Sequence, residues 1–95
     1  MAVVEITKQQ FGALNLFDHC RSLWPQDRER GWFIDTSEKL VGVLLEDAET
    51  KTWGYSICRY RDDGQFHRIA VAADIGSPDL ARLNLIAAMR RELVA

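Results

Sequence analysis

The sequence predicts an α+β domain in which a four-stranded antiparallel meander carries an N-terminal and a C-terminal helix packed on one face. Three observations predict it. Helix-start signals stand near both ends of the chain, and four strand-like runs lie between them. The connections between those runs are short enough to make neighbouring strands antiparallel. The order is α-β-β-β-β-α. With 95 residues, the chain has room for one modest core, and residues 1–95 are read as a single domain.

The first helix begins at a capping box. Thr7 and Gln10 stand three apart, so each side chain can satisfy the other residue's orphan backbone donor. Ile6 and Phe11 flank that cap where a hydrophobic staple belongs. The apolar stripe then runs through Ala13, Leu14, Phe17, Cys20 and Trp24, with Leu16 and Leu23 along one margin. Pro25 stops the helix, and "PQDRERG" reads as a polar loop.

The strand-like runs are "GWFID", "KLVGVLLE", "KTWGYSICRYR" and "QFHRIAVAADI". They are joined by "TSE", "DAET" and "DDG", so each pair is a hairpin. The last turn sets which residues share a face. A two-residue loop would place Arg59 opposite Arg68, an unfavourable like-charge pair. A three-residue loop, Asp62–Gly64, with Gly64 as a left-handed bulge residue, instead sets Arg61 against Gln65 and Arg59 against His67. Continued along the strands, it sets Ile57 against Ile69 and Tyr55 against Val71. Trp53, Tyr55, Ile57, Ile69, Val71 and Ala73 then form a core face. The opposite face gathers Gly54, Ser56, Cys58, Tyr60, Phe66, Arg68, Ala70 and Ala72, small and mostly uncharged for a sheet open to water.

The final helix starts in "IGSPDL". Ser77 caps it, Pro78 suits the first helical position, and Asp79 places negative charge where the helix dipole favours it. It runs from Pro78 to about Val94. Two apolar stripes share its circumference. Leu83, Ile86, Ala87, Leu93 and Val94 suit the sheet; Ala81, Leu85, Ala88 and Met89 form the second, more apolar surface than a single-sided surface helix needs.

Composition narrows the function classes. The formal net charge is -2, with 47% hydrophobic and 27% charged residues, which argues for neither a polyanion-binding surface nor a disordered acidic tail. "MAVVEITKQQ" has no basic start and too short an apolar run for a signal peptide, and no stretch approaches the ~18 apolar residues of a membrane span. Cys20 and Cys58 match no metal or redox spacing and read as reduced thiols in a cytoplasmic protein.

No catalytic, metal-binding or cofactor-binding motif emerges. Asp62 and Asp63 are turn residues, and a general acid–base role for His67 needs a cleft around it. Asp18, His19 and Cys20 lack a second ligand pair for a metal, and Gly42, Gly54 and Gly76 are too scattered for a phosphate loop. "KTWGY", from Lys51 to Tyr55, is similar to the opening of an RNA-recognition strand, but the rest of that motif is absent and the element order differs. The expectation is a non-enzymatic interaction or regulatory accessory protein without a cofactor, acting as a homodimer or with another protein partner. Its contact residues are Tyr60, Phe66 and Arg68 on the open sheet face, or Leu85 and Met89 on the last helix. The alternative is a nucleic-acid-binding module using Arg59, Arg61 and Arg68.

Overall fold

Strand β3 (Leu40–Asp47) sets the architecture. Its run Leu-Val-Gly-Val-Leu-Leu is apolar in both directions, so both faces of the sheet need cover. The computed structural model describes residues 3–13, 26–61, 63 and 65–94. Strand β3 is the middle of five antiparallel strands, not four. They lie in the order β1 (Val4–Ile6), β2 (Glu29–Asp35), β3, β4 (Thr52–Tyr60) and β5 (Phe66–Ile75). The added strand β1 pairs with β2 through Val4 opposite Ile34 and Ile6 opposite Trp32. Three residues are too few to establish an alternating pattern, so β1 is invisible until its partner is seen. A single 3₁₀ turn, Gln26–Arg28, leads into β2.

The first helix, α1, is described over Lys8–Ala13, and the last, α2, spans Pro78–Val94. Both begin as their caps predict. The Thr7 N–H donates to Gln10 Oε1 at 2.8 Å, and the Gln10 N–H donates to Thr7 Oγ1 at 3.1 Å. At α2, the Leu80 N–H donates to Ser77 Oγ at 3.3 Å. The α1 stripe from Leu14 to Trp24, with its margin and the Pro25 stop, lies outside the described residues.

The helices do not share a face. Leu40, Leu44, Tyr55 and Ile57 pack with Ala81, Leu85, Ala88 and Met89 of α2. Val41, Val43, Ile34 and Cys58 instead pack with Phe11 of α1, on the other side. The reason is β3 itself: Val41 and Val43 point away from α2 and bury against Phe11. Arg82 of α2 forms an ion pair with Glu5 of β1 and lies 5.7 Å from the centroid of the Phe33 ring, which ties the helix across the sheet.

The two stripes of α2 also exchange roles. Ala81, Leu85, Ala88 and Met89 are buried, whereas Leu83 is 62% exposed and Ala87 is exposed. Gly42 explains the choice. It leaves a gap on β3 that Leu85 and Met89 fill, and a Cβ there would stand 2.7 Å from Met89 Sδ. Ile86 keeps partial contact with the core, while the side chains of Leu93 and Val94 lie outside those described.

The β4–β5 hairpin starts in the expected register and then leaves it. The Arg61 N–H donates to Gln65 O at 2.9 Å, and Arg59 pairs with His67. The bulge assigned to Gly64 lies outside the described residues. One extra residue in β5 follows, so Cys58 pairs with Arg68 but Ile57 pairs with Ala70. Tyr55 keeps that new register opposite Ala72, and a second shift then sets Trp53 against Ile75, with Asp74 at φ 61°. Trp53, Tyr55, Ile57 and Ile69 remain on the side covered by α2. Ala70 and Ala72 join them there, and Val71 and Ala73 are exposed instead. Each bulge reverses the faces assigned downstream.

Candidate functional site

The second bulge needs a bare backbone opposite it. A Cβ on Gly54 would stand 2.3 Å from Ala72 O, so β4 and β5 approach here only because residue 54 is glycine. The missing side chain also lowers the sheet surface. Beside it, Ser56 and Ala73 are small, and together they floor a groove of about 240 Å³ on the face away from α2. Leu45 walls it on the β3 side. Val71, opposite Ser56, stands on the β5 side and is 63% exposed.

The groove is charged differently at its two ends. Asp47 and Asp74 lie where β4 begins and β5 ends, and Arg68 lies beyond Ser56 toward the hairpin tip. Arg28 reaches the acidic end and pairs with Asp47 at 3.6 Å. Asp47 is held below the usual carboxylate range, first by the Thr50 N–H, then by the Glu49 N–H and the Arg28 guanidinium. Among the described residues Asp74 has no ion-pair partner. Its left-handed backbone is one that glycine adopts more cheaply, by about 1 kcal/mol.

Ser56 is 1% exposed, and its Oγ finds no hydrogen-bond partner among the described residues. Cys58, two residues along the same face, is a free buried thiol. Burial pushes its pKa up, while the Ser56 hydroxyl and the Arg68 guanidinium pull the other way. The geometry between Ser56 and Cys58 falls short of a hydrogen bond. Cys20 lies outside the described residues, as do Asp18, His19 and Asp62.

The residues expected at a contact surface separate. Tyr60 and Phe66 pair across the hairpin at the tip end of the groove face, half-buried, with ring centroids 6.1 Å apart at 27°. Arg68 is exposed on the same face. Leu85 and Met89 are not surface residues at all, because each is fully buried beneath α2. Compared with known proteins, the chain matches no family model, no curated protein and no solved structure.

The three arginines of the nucleic-acid reading do not form one patch. Arg59 shares the other side of β4 with Tyr55 and Ile57, where it donates to the Glu38 carbonyl at 3.0 Å. Arg61 is exposed beyond it, whereas Arg68 lies across the sheet. Trp53 and Tyr55, the aromatics a base would stack on, pack beneath α2. His67 is exposed and does not line the groove. Among the described residues no group of three His, Cys, Asp or Glu side chains is placed to hold a metal, and no helix is long and apolar enough to cross a membrane. Sequence reasoning put Val71 and Ala73 on the core face, whereas both are exposed. Its one signal for this site was the run of small residues Gly54 and Ser56 on an open face.

Proposed function

We propose that the protein works by association rather than catalysis, as a homodimer formed through the open face of β4 and β5, in a reducing cytoplasm. The observation that carries this reading is Val71, a branched apolar side chain 63% exposed beside a groove floored by Gly54, Ser56 and Ala73. An apolar residue on a concave surface gains from being covered, and a second copy of the same surface is the simplest cover. Tyr60, Phe66 and Arg68 extend the contact toward the hairpin tip. The free Cys58 thiol supports the reducing compartment.

Sedimentation equilibrium at high micromolar concentration tests the reading. The expected mass is twice the 10.9 kDa of one chain. Val71→Asp is expected to give the single-chain mass with an unchanged far-UV circular dichroism spectrum, because the side chain is already in water in the monomer. A single-chain mass for the unaltered protein at that concentration overturns the proposal.

A further inference from the structure

Strand β5 carries a self-complementary charge pattern. Arg68 and Asp74 stand three residues to either side of Val71, in the stretch Arg-Ile-Ala-Val-Ala-Ala-Asp. All three line the same groove, so its basic end, apolar centre and acidic end come from one strand. A two-fold axis through Val71 exchanges the ends. Antiparallel chains related by that axis bring Arg68 of one copy to Asp74 of the other, twice, and set Val71 against its own counterpart.

We infer that the partner of this surface is a second copy of the chain, docked about a two-fold axis at Val71 and held in register by two reciprocal Arg68–Asp74 ion pairs. This rests on the homodimer reading above and specifies its geometry. Sheets stacked face to face lie about 10 Å apart, a gap that an arginine and an aspartate side chain span together. The contact is made by side chains on the sheet face and not by joining the β5 edges. The two extra residues in β5 break the even row of outward N–H and C=O groups that edge pairing requires. Asp74 fits the role. A carboxylate occupies a left-handed bulge position where glycine is the less strained residue, and it is exposed without an ion-pair partner among the described residues.

Reversal of each charge tests the geometry. Arg68→Asp sets one acid against another in each contact, and Asp74→Lys sets one cation against another. Lysine is tolerated in this backbone conformation, since Lys39 and Lys51 already adopt it at φ 56° and 58°. Each single variant is expected to raise the dimer dissociation constant by about tenfold or more at low salt. Equimolar mixing of the two single variants is expected to restore association, because every contact in the mixed pair then joins opposite charges. The double variant is expected to self-associate like the original protein. A dimeric original protein whose single variants associate unchanged, or do not recover on mixing, overturns this geometry and leaves the homodimer reading standing. A monomeric original protein overturns both.

Discussion

Gly42 and Gly54 are both strand glycines, and they are constrained by different neighbours. At Gly54 the obstacle is backbone: Ala72 O would be 2.3 Å from an added Cβ and can move only if β5 moves. At Gly42 the nearest atoms are Met89 Sδ at 2.7 Å and Leu85 Cδ2 at 3.0 Å, the ends of flexible side chains. Gly54→Ala is therefore expected to cost about 3 kcal/mol or more and Gly42→Ala about 1–2 kcal/mol, both measured by urea unfolding. Equal costs would mean that the second bulge does not hold the strands as close as described. In the sequence the two positions look alike, because nothing local distinguishes a glycine beneath a helix from one opposite a bulge. Val71 was misplaced for the same reason. Its face depends on the extra residue between Arg68 and Ala70, which no turn signal announces.

At the scale of elements, the hairpins β2–β3 and β3–β4 share one turn design. In "DTSEKL" and "DAETKT" an aspartate ends the first strand and a lysine with positive φ precedes the second. Asp35 Oδ1 accepts from Ser37 Oγ at 2.6 Å and from the Glu38 N–H at 3.1 Å. Asp47 Oδ1 accepts from the Glu49 N–H at 3.0 Å. Hydrogen bonds to the charged form lower both pKa values, led by the Ser37 side chain for Asp35 and by the Thr50 N–H for Asp47. A depressed folded-state pKa contributes stability that is fully present above the unfolded value, near 3.8, and is lost as pH falls through the lower folded value. The urea midpoint is thus expected to hold near neutral pH and to decline below about pH 4. The Asp35→Asn, Asp47→Asn double variant is expected to show a shallower decline, and an identical acid limb would remove these turns as its cause. Caps and turns were legible in the sequence because their chemistry is local. The choice of stripe on α2 was not, since apolar residues surround that helix and only the gap at Gly42 selects Leu85 and Met89.

For the whole molecule, a five-stranded sheet with apolar residues on both faces divides a short chain's core into two layers. Helix α2 covers Leu40, Leu44, Tyr55 and Ile57 on one side. On the other, Phe11 covers Ile34, Val41 and Val43, while Val71 of β5 stays exposed. The general class, α+β with an antiparallel sheet, was readable from patterning, but the distribution of cover was not. It depends on β1, which is recognisable only once paired, and on bulges that move β5 residues between faces. A dimer closed over Val71 makes folding stability depend on protein concentration, because unfolding then releases two chains. Each tenfold dilution lowers the stability of the dimer by about 1.4 kcal/mol. Between ~100 and ~1 μM the urea midpoint is expected to fall by about 1 M, and the Val71→Asp variant is expected to unfold at one midpoint throughout that range. A midpoint for the unaltered protein that does not move with concentration would mean that the exposed valine contributes no association energy, and the open face would then lose its role as the contact.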